Sequence, residues 1–148
     1  MKKTFLITLL FLLIGFSNLL KAQDLIVYQY WNSTIHRHFY TTNHSELGDG
    51  GNGWVTQGIV GRLLSTGNAS TAIYRFYNTV TATHYYTMNV NVFPDGFHLE
   101  NIMGYRPIPP LYSYPVYEFY NSGDYYYSTN SAVPNGYTSN GIAYYVAP

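Results

Sequence analysis

The chain has 148 residues, no cysteine, 9% charged residues and a formal net charge of zero. All three lysines (Lys2, Lys3, Lys21) stand at the N-terminus, and beyond Gln23 four arginines face seven acids. A lysine-free, mildly acidic body argues against nucleic acid as a partner and rules out a polybasic membrane surface, while the absent cysteines exclude disulfide staples.

Lys2 and Lys3 followed by the apolar stretch from Phe5 to Phe16, then Leu20-Lys21-Ala22 before Gln23, predict a signal peptide over residues 1–22. The apolar stretch is shorter than the roughly 20 residues a membrane-spanning helix needs. The expectation is a secreted, extracellular or periplasmic product with no membrane contact after cleavage. Residues 24–148 are then one domain, long enough for a core of its own.

That domain reads as three copies of one unit. Val27-Tyr28-Gln29-Tyr30-Trp31-Asn32 recurs as Ile73-Tyr74-Arg75-Phe76-Tyr77-Asn78 and as Val116-Tyr117-Glu118-Phe119-Tyr120-Asn121. A second run follows each: His38-Phe39-Tyr40-Thr41-Thr42-Asn43, His84-Tyr85-Tyr86-Thr87-Met88-Asn89 and Tyr125-Tyr126-Tyr127-Ser128-Thr129-Asn130. A third element closes each, with Gly53-Trp54 leading to Gln57-Gly58-Ile59, Gly96-Phe97 to Glu100-Asn101-Ile102, and Gly136-Tyr137 to Asn140-Gly141-Ile142. The repeats span 27–64, 73–107 and 116–147, joined by linkers at 65–71 and 107–115. Glycine-to-isoleucine spacing is six residues in every copy, and length varies only where surface turns tolerate it.

Tyr, Phe, Val, Ile and Thr dominate the runs, and Asn, Gly, Asp and Pro punctuate them, so the fold is predicted all-β. One helical turn is expected near His44–Leu47. Period-two geometry puts Tyr28 and Tyr30 on a core face, and Gln29 on a wetter face with Val27 and Trp31. The same pattern places Tyr74 and Phe76 around Arg75, and Tyr117 and Phe119 around Glu118. Three short-stranded units suit a β-trefoil, which closes without edge strands, with a threefold β-prism as the alternative. Solenoids and propellers fit three units less well.

The pattern V-Y-x-[FY]-[FWY]-N, [HY]-[FY]-Y-[TS]-x-N and x-x-G-I-A resembles a family of secreted bacterial repeats of unknown function. Units of that family read V-Y-R-F-Y-N, D-H-F-Y-T-T-N and E-G-I-A-F, and the resemblance covers residues 27–146. It implies an accessory or binding role at glycan or cell-wall surfaces, since such domains accompany extracellular hydrolases. Here only the second copy keeps the arginine (Arg75), only the third keeps the aspartate (Asp124), and the histidine survives as His38 and His84 but is Tyr125 in the third. A site needing all three residue types therefore requires neighbouring copies to combine.

His36 and His38, two apart, would share a strand face at a spacing able to hold a metal, but His38 occupies a repeat position that asks only for a hydrogen-bonding aromatic. No catalytic, metal or cofactor residue is assigned, because no hydrolase, P-loop or dinucleotide signature is present. Trp31, Tyr77 and Tyr120 lie beside the variable polar positions, where exposed rings and polar groups could hold a sugar. Asn32, Asn78 and Asn121 read as turn residues, and Trp54, Phe97 and Tyr137 as plugs under the loops. The candidate ligand-binding set is Gln29, Trp31, His38, Arg75, Tyr77, His84, Glu118, Tyr120 and Asp124. The expected function is non-enzymatic carbohydrate binding, with a glycan or cell-wall polysaccharide as ligand. A protein-binding or structural surface domain is the alternative, and a hydrolase the third.

Overall fold

The computed structural model describes residues 24–108 and 113–148. The expected signal segment and residues 109–112 of the second linker lie outside them. Ten strands run β1 (Asp24–Asn32), β2 (Arg37–Thr41), β3 (Gly50–Gly51), β4 (Trp54–Leu64), β5 (Ala72–Asn78), β6 (Thr83–Thr87), β7 (His98–Tyr105), β8 (Tyr114–Asn121), β9 (Asp124–Ser128) and β10 (Thr138–Val146). The fold is all-β and antiparallel, with one 3-10 turn at His44–Glu46 and no α-helix among the described residues.

Nine of these strands form three triplets, ordered β2-β1-β4, β6-β5-β7 and β9-β8-β10. Cross-strand pairing runs in one register in all three: Trp31 faces His38, Tyr77 faces His84 and Tyr120 faces Tyr125. A Leu64–Tyr105 pairing joins the first triplet to the second. A bridge between Arg62 and Ala147 joins the first to the third.

The recurring asparagines close the β1–β2 and β5–β6 hairpins. Asn32 Oδ1 accepts from the Thr34 and Ile35 amides, and Asn78 Oδ1 from those of Val80 and Thr81. Each amide nitrogen also lies against the recurring glycine, which has positive φ: 86° at Gly53 and 80° at Gly96. A Cβ on either glycine would meet the asparagine Nδ2 at 2.9 Å. Gly96→Ala is therefore expected to cost about 1 to 2 kcal/mol from backbone strain and crowding, measurable by urea denaturation. His36 sits in the first hairpin turn with φ of 52°, so it is not on a strand and does not share a strand face with His38.

The core departs from the simple two-face expectation. Val27, placed on the wetter face, is fully buried, as are Ile73 and Val116. Arg75 and Glu118 are buried too, at 4% and 6% exposure. The reason is that the face carrying these residues turns inward, to where the triplets meet, so both faces of the first strand of each triplet carry buried residues. Tyr40, Tyr86 and Tyr127 from the three hairpins meet there edge to face, with ring centroids 5.2 to 5.5 Å apart. Their hydroxyls link the strands in a cycle. Tyr40 N–H donates to Tyr86 Oη, Tyr86 N–H to Tyr127 Oη and Tyr127 N–H to Tyr40 Oη. Tyr86 Oη donates onward to the Tyr40 carbonyl and Tyr40 Oη to that of Tyr127. Burial pushes all three hydroxyl pKa values well above the ordinary range, which keeps them protonated as donors.

Candidate functional site

Each triplet contains a β-bulge that turns one exposed polar side chain toward the neighbouring strand. The pairing register skips Gln57 between Thr56 and Gly58, Glu100 between Leu99 and Asn101, and Asn140 between Ser139 and Gly141. A bulge re-aims the extra residue out of the ladder. All three then meet the central polar residue of the neighbouring strand. Gln29 Nε2 donates to Gln57 Oε1 at 2.7 Å, Arg75 Nε to Glu100 Oε2 at 2.7 Å, and Asn140 Nδ2 to Glu118 Oε1 at 2.7 Å. Polar identity changes from triplet to triplet, yet the pair stays chemically complementary.

These pairs face the junctions between triplets, and each junction is finished differently. Between the first and third triplets lies a cleft of about 580 Å³ lined by Gln29, His38, Gln57, Tyr126, Pro134 and Tyr137. That lining contains no Asp, Glu, Lys or Arg. His38 packs between Trp31 and Tyr126, with centroids 4.5 and 4.9 Å away. Asp124 of β9 holds it, because Oδ1 accepts from the His38 amide and Oδ2 lies 2.7 Å from Nδ1. Tyr137 Oη donates to the same Oδ2 at 2.7 Å. Asp124 is only 3% exposed. A smaller adjoining recess of about 350 Å³ is lined by Trp31, His36, Arg37, Asn121 and Asp124 and shares Tyr137.

Between the first and second triplets a cleft of about 360 Å³ is lined by Phe39, Glu46, Trp54, Arg75, Tyr77, His84 and Glu100. Here the charged groups already satisfy one another, while His84 Nδ1 has no partner. Arg75 forks onto Glu46 with two bonds of 2.9 Å, and its guanidinium carbon lies 5.2 Å from the Phe39 ring centroid. Burial alone would lower the Arg75 pKa and raise that of Glu46. Their mutual hydrogen bonds win in both, leaving Arg75 above its usual value and Glu46 below. Glu100 is also held low, chiefly by its hydrogen bond with His84. Burial pushes His84 down despite Glu100, so its ring stays neutral. The ring stacks on Tyr77 at 4.5 Å.

The junction of the second and third triplets is packed with rings. Phe97 and Tyr85 lie edge-on to Tyr125, at 6.1 and 5.0 Å. Burial pushes the Tyr125 hydroxyl up to about 12. Glu118 is raised by burial, against the hydrogen bonds from Asn140 and Tyr127. A carboxyl raised in the folded state contributes stability below its unfolded pKa and loses it as pH rises through the folded value. Glu118→Gln, which does not titrate, is therefore expected to gain Tm relative to wild type as pH rises from about 4 to 7, by roughly 2 to 5 °C in thermal melts.

A family model described as Domain of unknown function (DUF5648) matches residues 25–147. The chain belongs to the DUF5648 family. No curated protein and no solved structure matches it.

Of the residues singled out in this DUF5648 sequence, Gln29 and His38 line the first cleft, with Trp31 and Asp124 in the adjoining recess. Arg75, Tyr77 and His84 line the second. Glu118 is enclosed, and Tyr120 is 37% exposed against Tyr125, so these two stand apart from both clefts. The sequence reading missed Gln57, Glu100, Glu46 and Tyr126. The first two carry a signal in the chain: their repeat position varies in step with 29, 75 and 118, as Gln with Gln and Glu with Arg. Tyr137 and Trp54, read as plugs, are cleft walls; only Phe97 is a buried plug.

Proposed function

We propose that the chain is a secreted, non-enzymatic carbohydrate-binding module, released by cleavage of residues 1–22 and closed as a trefoil-like set of three repeats. Its principal site is the cleft between the first and third triplets. The observation that carries the reading is the composition of that cleft: two amides and an imidazole face two tyrosine rings, with no Asp, Glu, Lys or Arg among the lining residues. Tyrosine rings offer apolar faces to sugar C–H groups, and the amides and imidazole supply hydrogen bonds to hydroxyls. The ligand is a glycan or cell-wall polysaccharide. The second cleft is a weaker site, because Arg75, Glu46 and Glu100 already occupy one another's hydrogen bonds.

The test is retention of the mature chain on a glycan array and on insoluble polysaccharides. Tyr137→Ala and Gln57→Ala should each weaken retention about tenfold or more, equivalent to roughly 1.4 kcal/mol, while Tyr120→Ala leaves it unchanged. No retention on any glycan, or retention indifferent to both cleft substitutions, removes the reading.

The 2.7 Å contact between His38 and Asp124 favours one second reading, a hydrolase with His38 as general base. The lining of the first cleft contains no serine, threonine or cysteine nucleophile and no carboxylate. Release of reducing ends from a retained polysaccharide, abolished by His38→Gln, would establish it over simple binding.

A further inference from the structure

The hydrogen bonds around His38 define what the first cleft can recognise, if that cleft is the glycan site. Asp124 Oδ2 receives the Tyr137 hydroxyl and lies 2.7 Å from His38 Nδ1, while Oδ1 receives the His38 amide. A carboxylate is acceptor-only, so Nδ1 carries a ring proton, and a ring with one proton keeps its lone pair on Nε2. Among the described residues the only buried side-chain polar atoms without a partner are His84 Nδ1 and Tyr144 Oη. The His38 ring makes its hydrogen bond through Nδ1, and Nε2 is not among these buried atoms, so Nε2 is open to the cleft. The amide pair is polarised in the same way: Gln29 Nε2 is spent on Gln57 Oε1, which leaves the Gln57 NH₂ as donor and Gln29 Oε1 as acceptor.

We propose that the first cleft reads an uncharged pair of sugar hydroxyls, one donating to His38 Nε2 and one accepting from the Gln57 amide, with Asp124 as the positioning residue that fixes the His38 tautomer. A hydroxyl both donates and accepts, so a neutral diol satisfies both groups. A carboxylate ligand would set its oxygens against the lone pairs of Nε2 and Gln29 Oε1. An ammonium would find no carboxylate in the lining to compensate its lost hydration. Asp124 and His38 lie 86 residues apart on different triplets, so the recognising group is completed only when the third triplet closes on the first.

The experiment uses the mature chain with ¹⁵N-labelled histidine, the His38 ring signals being assigned with His38→Gln. Long-range ¹H–¹⁵N correlation should show the Nδ1–H tautomer in the free protein; an Nε2–H tautomer, or a ring protonated on both nitrogens, overturns the proposal by itself. Methyl glucoside, galactoside and mannoside are then titrated against their uronic acid and 2-amino counterparts. At least one neutral glycoside should shift the His38 Nε2 resonance, with its charged counterparts at least tenfold weaker. A charged sugar binding as tightly, or a glycan retained without moving His38, overturns this inference while leaving glycan binding intact. Absence of any glycan binding overturns both. Asp124→Asn should mix the tautomers and weaken the neutral ligand fivefold or more; an unchanged tautomer and affinity ends the positioning role. Should that variant not fold, the wild-type tautomer and ligand series still decide.

Discussion

Tyr86→Phe is expected to destabilise the protein by about 2 to 3 kcal/mol, although it removes a single oxygen. That oxygen accepts from the Tyr40 amide and donates to the Tyr40 carbonyl, at 2.8 and 2.7 Å. Its loss strands a donor and an acceptor of one residue in the interior, where water cannot replace them. A stranded buried group costs its whole desolvation energy, well above the modest net value of a completed hydrogen bond. The ring contacts with Tyr40 and Tyr127 survive the substitution, so the effect isolates the hydroxyl. Cooperative thermal melts should fall by roughly 10 °C. Tyr120→Phe, whose ring is partly exposed and has no such bonds, should stay within about 0.5 kcal/mol. A Tyr86→Phe protein equally close to wild type would mean the hydroxyl cycle contributes nothing.

The same tyrosines mark the limit of what the chain discloses about its fold. Strand runs are legible because aromatic and β-branched residues alternate with polar ones over short stretches. The hairpin asparagines and the positive-φ glycines are legible because their chemistry is local. Tyr40, Tyr86 and Tyr127 can be aligned with one another in sequence, but nothing local says that their hydroxyls bond to one another's backbone. Burial of Val27 is hidden for the same reason: periodicity separates two faces and cannot tell that a neighbouring triplet covers the second. The site suffers most, since each cleft takes its polar pair from one triplet and aromatic walls from another. His38 and Asp124 are recognisable as chemistry, and their distribution over different copies already requires copies to combine. Their 2.7 Å meeting is a property of closure. Glu46 carries no repeat signal, because it stands in the loop whose length differs between copies.

Arg75→Met is expected to cost about 2 to 3 kcal/mol at pH 7, and its cost should shrink in acid. The wild-type guanidinium is buried and bonded to both Glu46 and Glu100. Without it two carboxylates face one another with no counter-charge. Their side chains are 29% and 37% exposed, so water offsets part of the penalty and places the cost below the roughly 3 to 5 kcal/mol of a fully buried broken pair. Both folded carboxyls sit below their ordinary value of 4.5. Such groups contribute stability above the unfolded pKa and lose it as pH falls through the folded pKa. The variant has no depressed pair to lose, so its gap from wild type should narrow between about pH 5 and pH 3 in urea titrations. A gap independent of pH would assign the loss to packing against Phe39 instead. Glu46 rides on the 3-10 turn of the first triplet while Arg75 belongs to the second. Faster proteolysis of the 44–53 loop should accompany the substitution. The first cleft has no residue in this ion network, so Arg75→Met should spare any glycan retention that belongs there and abolish only what the second cleft contributes.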